Sequence, residues 1–222
     1  AEVCIIDINP KTPEVAKEFC DRGFTCHSVI ANLGDAESLK NGFEDAVKSL
    51  GGHLDIIVNG AGVQKRHPSE EFPYEDWEFV LNINLNAVFR LCQLAGKQFM
   101  AQGSKGKIIN IASMLSFFGG FTVPAYAASK GGVAQLTKAL CNEWAGKGIN
   151  VNALAPGYMD TEMNTALTDP SNPRFKEITD RIPAHVWGTP EDMKGPCVFL
   201  ASAASDYLNG AIIPVDGGYL VK

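Results

Sequence analysis

Gly106-Lys-Ile-Ile-Asn-Ile-Ala-Ser113 is a short β-branched run that ends on a serine, and thirteen residues further on Tyr126-Ala-Ala-Ser-Lys130 lies in a stretch of helical rhythm. The first predicts a strand. The second belongs to a helix predicted over 125–147, with Val133, Leu136, Leu140 and Trp144 at three- and four-residue spacing and Gly146 and Gly148 as its stop. Working outward, the alternation repeats. Strands are predicted near 2–8, 24–30, 54–59, 106–112, 149–154 and 210–215, and helices near 12–22, 35–50, 75–102, 125–147 and 190–203. Trp77, Leu81, Leu85, Val88, Cys92, Ala95 and Phe99 give the 75–102 helix one apolar face to set against a sheet. This is the pattern of βαβ units, an α/β fold with a parallel sheet and helices on both faces. Residues 1–222 read as a single domain without repeats or linkers. The longest irregular segment, 156–189, is rich in Pro, Asn, Asp and Thr and is the candidate substrate lid.

Composition narrows the function classes. Of 222 residues 45% are hydrophobic, which supplies a core and excludes disorder as the main description. Nineteen basic against 25 acidic residues give a net charge of −6, and the densest basic stretches are only Lys65-Arg66 and Lys105-Gly-Lys107. Nucleic acid is therefore not the expected partner. No apolar run approaches a membrane span, and Glu2 and Asp7 stand where a secretory signal would be basic and then apolar. A soluble, cytoplasmic protein is expected. Cysteines 4, 20, 26, 92, 141 and 197 form no C-x-x-C pair, and most fall in apolar periodic segments, so they read as buried free thiols. His27, His53, His67 and His185 have no spacing that suggests a metal site.

Open parallel sheets bind ligands at the carboxyl ends of their strands. Asp7 ends the first run, where a carboxylate would accept hydrogen bonds from both hydroxyls of an adenosine ribose and repel a 2′-phosphate, pointing to NAD over NADP. An Asx turn with Asn9-Pro10 accounts for the same residue equally well. Tyr126 and Lys130, four apart, share a helix face. A neighbouring ammonium favours phenolate, so Tyr126 is expected to have a lowered pKa and to serve as a general acid or base.

Ser113, Tyr126-Ala-Ala-Ser-Lys130, Asn59-Gly-Ala-Gly62, Asn84-Leu-Asn-Ala-Val-Phe89 and Pro156-Gly-Tyr-Met-Asp-Thr161, in this order and spacing, resemble the short-chain dehydrogenase/reductase family. The resemblance runs through Asn209-Gly-Ala-Ile-Ile-Pro-Val-Asp-Gly-Gly218 and covers essentially the whole chain. Arg181-Ile-Pro, Trp187-Gly-Thr-Pro-Glu-Asp192 and Ser205-Asp-Tyr-Leu-Asn-Gly210 look most like sugar-acid members of the gluconate 5-dehydrogenase and 2-deoxy-D-gluconate 3-dehydrogenase type. The resemblance implies a three-layer, Rossmann-like doubly wound sheet and an NAD(H)-dependent interconversion of a secondary alcohol and a ketone on a sugar acid, polyol or similar small polar substrate. It implies a catalytic tetrad of Asn84, Ser113, Tyr126 and Lys130. Tyr126 would exchange the proton with the substrate oxygen, Ser113 hydrogen-bond that oxygen, Lys130 hold the nicotinamide ribose, and Asn84 anchor a proton-relaying water. The implied cofactor site takes in Asp7, Asn32, Leu33, Asn59, Gly60, Ala61, Gly62, Tyr126, Lys130, Pro156, Gly157, Met159 and Thr161. Within it, Thr161 and the Met159 backbone would face the nicotinamide carboxamide, Asn32 and Leu33 the adenine, and the Gly60 backbone the ribose. A homo-oligomer, tetramer or dimer, is implied as well, built through the helices near 75–102 and 125–147 and the C-terminal region.

The sequence departs from that pattern. Gly60 replaces the second Asn of the usual Asn-Asn-Ala-Gly, and Asn32 stands where Asp is common. Neither G-x-G-x-x-G nor T-G-x-x-x-G-x-G occurs, so the family's first strand, its glycine-rich turn and the following helix are expected to be absent, leaving two unpaired sheet edges. Three readings are open: a sequence that covers part of a longer chain, a shortened product, or a catalytically silent relative acting as a binding or scaffold subunit.

Overall fold

In the computed structural model, residues 1–169 and 171–222 are described. Among the described residues six parallel strands form: β1 (Glu2–Asp7), β2 (Thr25–Ile30), β3 (Ile56–Asn59), β4 (Gly106–Ile111), β5 (Ile149–Pro156) and β6 (Ile212–Val215). They make two sheets rather than one, β1 with β2 and β3-β4-β5-β6. Among the described residues β1 and β3 are each an edge, as the missing first-strand motif leads one to expect.

The helices are α1 (Thr12–Asp21), α2 (Ala36–Ser49), α3 (Tyr74–Leu81), α4 (Ala87–Gln102), α5 (Pro124–Trp144), α6 (Thr165–Thr168), α7 (Pro173–Arg181) and α8 (Pro190–Ala201). Strand alternation sorts them onto two faces. Ile108 on β4 and Val151, Ala153 and Ala155 on β5 pack with Phe43 of α2, Cys92 and Phe99 of α4 and Trp144 of α5. Ile109 and Leu154, one residue out of step, pack on the opposite face with Leu200 of α8.

Two expected elements differ. The continuous 75–102 helix is interrupted by a π turn over Asn82–Asn86, and 156–189 holds α6 and α7 rather than irregular chain alone. Asn172 caps α7 by accepting the Arg174 N–H at 3.0 Å, Pro173 opens it, and buried Ile178 points inward, so its loop-like residues act as a helix start. The cysteines also differ from expectation. All six are free, but only Cys92 is buried and Cys20 is exposed.

A buried polar chain ties the layers together. Asn59 Nδ2 donates to Asn110 Oδ1 at 2.8 Å, Asn110 Nδ2 to Thr137 Oγ1 at 3.0 Å, and Thr137 Oγ1 to the Val133 carbonyl at 2.8 Å. It links β3, β4 and α5. Gly106, at the start of β4, meets the fully buried Phe99 ring so closely that a Cβ would fall inside its van der Waals shell. Gly106→Ala is therefore expected to cost about 1–3 kcal/mol through overpacking. A thermal melt followed by circular dichroism should show a lower Tm, and an unchanged Tm would mean that Phe99 has room to yield.

Candidate active site

Because β3, β4 and β5 are parallel, the residues that follow them gather at one end of the sheet. Ser113, just past β4, caps a 3₁₀ turn by accepting the Leu115 N–H at 3.2 Å. Ser116 Oγ accepts the Ser113 N–H at 3.3 Å and donates to the Lys130 carbonyl at 2.7 Å, binding that turn to α5. The Ser113 hydroxyl is hydrogen-bonded to the Tyr126 phenol. Lys130 Nζ donates to the Ile111 carbonyl at 2.6 Å and lies 5.6 Å from the centre of the Tyr126 ring.

Asn84 sits in the π turn, fully buried. A π turn offsets the helical ladder, and such offsets are frequent at functional sites. Its Oδ1 accepts the Val63 N–H at 2.8 Å, while Nδ2 donates to the Val63 carbonyl at 2.9 Å and to Ser129 Oγ at 3.2 Å. The loop after β3 is thereby pinned beside Lys130. A Cβ on Gly62 would stand 3.6 Å from Asn84 Oδ1 and 3.8 Å from Lys130 Nζ, so this backbone passes close to both side chains. The four residues of the expected tetrad thus occupy one neighbourhood.

The electrostatics correct one expectation. The Tyr126 phenol is pushed up from its ordinary value by burial, and the Ser113 hydrogen bond pulls only partly against it. Lys130 is itself pushed down, from 10.5 to about 8, because burial disfavours its ammonium. Its Nζ is engaged by a backbone carbonyl beside the ring, so in this structure it does not lower the phenol.

A cavity of about 180 Å³ opens onto Ser113 and Tyr126. Gln64 and Arg66 from the loop after β3, Tyr158 after β5, and Arg174, Glu177 and Arg181 from α7 contribute to its wall. Arg66 is pushed down from its ordinary value by partial burial and by the nearby charge of Arg174, with Tyr158 acting in the opposite sense. Among the described residues, no ion pair neutralises Arg66 or Arg174. Arg181 stacks over the Tyr219 ring at 4.3 Å.

The sequence reading missed the two arginines. Arg66 belongs to a dipeptide weighed only against nucleic acid, and Arg174 lies in a segment read as loop. The signal was available: the sugar-acid resemblance calls for a cation near Tyr126, and Arg66 is four residues past Gly62.

The remaining predicted residues are more scattered. Asp7 is exposed, and its Oδ1 accepts the Asn9 N–H at 2.9 Å, so the Asx turn does form. Asn32 is exposed, its Oδ1 accepting the Gly34 N–H at 3.0 Å, and Leu33 packs partly on the core. Asn59 is buried, with an Oδ1 that lacks a partner among the described residues, whereas Gly60 and Ala61 are exposed. Pro156 ends β5, and Gly157 lies so close to Asp216 that a Cβ would sit 2.7 Å from its Cα. Met159 is buried and bridges Gly188, and Thr161 begins a 3₁₀ turn without capping it through its side chain.

A family model described as "Enoyl-(Acyl carrier protein) reductase" matches residues 1–220. The chain belongs to the short-chain dehydrogenase/reductase family. This short-chain dehydrogenase/reductase is 49% identical over 219 residues to the 2-dehydro-3-deoxy-D-gluconate 5-dehydrogenase of Escherichia coli, covering 98% of this chain and 86% of the relative. A structure from Beutenbergia cavernae, described as an NAD(P)-dependent gluconate 5-dehydrogenase with NADP bound at low occupancy, superimposes with a TM-score of 0.94 at 46% identity, covering 100% of this chain and 88% of that one. A gluconate 5-dehydrogenase from Burkholderia cenocepacia, in complex with NADP and tartrate, superimposes with a TM-score of 0.94 at 38% identity, covering 100% and 86%. Among the described residues no helix is long and apolar enough to cross a membrane.

Proposed function

We propose that this chain is a nicotinamide-dependent oxidoreductase that interconverts a secondary alcohol and a ketone on a sugar acid. The observation that carries this reading is the cavity in which the Ser113–Tyr126 hydroxyl pair shares space with Arg66 and Arg174. Two like charges that, among the described residues, form no ion pair favour an anion between them. A substrate carboxylate meets that need and leaves a carbon-bound oxygen free to reach Tyr126. The gluconate-type relatives, one of them holding the dicarboxylate tartrate, support the same substrate class. A silent binding subunit would have no use for an assembled hydroxyl pair.

In this reading Tyr126 gives its proton to, or takes it from, the substrate oxygen, and Ser113 hydrogen-bonds that oxygen. Lys130 would hold the nicotinamide ribose, and Asn84 fixes the loop that carries Gly62 and, further on, Arg66. The nicotinamide dinucleotide, when bound, supplies the hydride chemistry. The residues present fit its two ends: Gly62 brings bare backbone to Lys130, Gly60 has open space around it, and Asp7 retains an exposed carboxylate at the end of β1. That carboxylate supports NAD as the preferred cofactor, although the two structural neighbours above hold NADP. Segment 156–189, with α7, acts as the lid. Exposed Phe89 on α4 and Val198 and Phe199 on α8 support association into a homo-oligomer through these elements.

Nicotinamide absorbance assays with gluconate, keto-gluconates and neutral polyols test the reading. Turnover of a sugar acid is expected, faster with NAD than with NADP. No turnover of any sugar acid with either cofactor would overturn the assignment, and faster turnover with NADP would overturn the role given to Asp7.

A further inference from the structure

The loop that carries Arg66 is held by a device outside the cavity. Gln64 and Arg66 line the cavity, whereas Lys65 and His67, alternating with them, turn the other way. Both reach one carboxylate, Asp76 in the first turn of α3: Lys65 Nζ lies 3.3 Å from Oδ1 and His67 Nε2 2.7 Å from Oδ2. The two partners hold the Asp76 carboxyl below its usual range, the His67 hydrogen bond contributing most. Edge-to-face contact of His67 with Phe72 at 5.1 Å and the Lys65 ammonium 5.8 Å over the Phe79 ring brace the same pair. The His67 N–H also donates to the Thr122 carbonyl at 3.1 Å. Among the described residues no ion pair holds Arg66 itself, and its guanidinium feels the like charge of Arg174 across the cavity. Left alone, that repulsion would turn a flexible side chain out of the cavity.

We propose that Asp76 is a positioning residue for substrate recognition. By gripping the residues on both sides of Arg66 with one oxygen each, it forces the intervening side chain into the cavity against Arg174 and presets the seat for the substrate carboxylate. This rests on the sugar-acid reading above, and the experiment separates the two. Steady-state kinetics with a turned-over sugar acid are measured for wild type, Asp76→Ala, Asp76→Glu, Arg66→Ala and the Asp76→Ala/Arg66→Ala double variant, with cofactor affinity and Tm recorded for each. Asp76→Ala is expected to raise KM about tenfold with kcat nearly unchanged, and Arg66→Ala to raise it more. The double variant should match Arg66→Ala alone, because Asp76 acts only through that arginine. Asp76→Glu should recover part of the loss. Unchanged KM in Asp76→Ala, or effects that multiply in the double variant as a general loss of stability would produce, overturns the positioning role and leaves the sugar-acid reading intact. Unchanged KM in Arg66→Ala removes Arg66 from carboxylate binding and with it the role of Asp76, whereas the sugar-acid reading falls only if no sugar acid is turned over.

Discussion

Tyr126→Phe is expected to lower turnover by about 10²–10⁴-fold while the cavity and the melting temperature stay nearly unchanged. The substitution removes one oxygen from a half-buried ring whose position is fixed by its helix, so the fold loses only the hydrogen bond to Ser113. In the proposed reaction the proton donor and acceptor is lost. Burial gives the two directions different pH profiles. With the phenol held above its ordinary value, the protonated form dominates across the neutral range, and ketone reduction, which consumes that proton, should be level there. Alcohol oxidation needs the phenolate, so its rate should climb as pH rises toward the raised pKa. Rates in both directions, measured from neutral to strongly alkaline pH, check this. A variant that keeps more than about a tenth of wild-type turnover would remove Tyr126 from the proton step.

Lys130→Met is expected to abolish most turnover and to stabilise the fold. In the folded chain Lys130 titrates near 8 rather than 10.5, so between these values the unfolded chain binds more protons and stability rises with pH. Below about 8 the full cost of burying the ammonium applies, on the order of 3 kcal/mol. Above 10.5 both states are neutral and the cost disappears. Methionine fills a similar volume without a charge, at the loss of one hydrogen bond to the Ile111 carbonyl. The variant's gain in Tm should therefore be largest at neutral pH and shrink as pH approaches 10.5. A Tm below wild type at neutral pH would show that the Ile111 bond outweighs the desolvation. Such a gain would mark Lys130 as a residue kept for chemistry at the expense of stability.

The βαβ order was legible because strand and helix periods are local, and Ile108 and Ile109 face opposite sides wherever the strand lies. The π turn was hidden because Leu81 and Leu85 keep an apolar four-residue spacing across it, so the pattern absorbs the offset. Helix α7 was hidden because Asn172 and Pro173 serve equally as loop residues and as a helix start. In the site, the four-residue spacing of Tyr126 and Lys130 puts them on one helix face and the family resemblance adds Ser113, but the direction of the Tyr126 shift could not be read, since burial is a property of the packed chain. Arg66 and Arg174 are more than a hundred residues apart, and only the folded loop and helix bring their charges to one cavity.

The Asn59–Asn110–Thr137 chain has a consequence for how the chain reaches this arrangement. A one-residue slip of β3 against β4 would break the bond from Asn59 Nδ2 to Asn110 Oδ1 inside an apolar layer while Asn110 stays tied to Thr137, and a buried polar group left unpaired costs about 1–3 kcal/mol. A purely aliphatic pair at these positions would tolerate that slip far more easily. The polar chain thus acts as a key for strand alignment: the register that pairs Asn59 with Asn110 is favoured over its neighbours, and that register is the one that sets Gly62, Ser113 and Lys130 side by side.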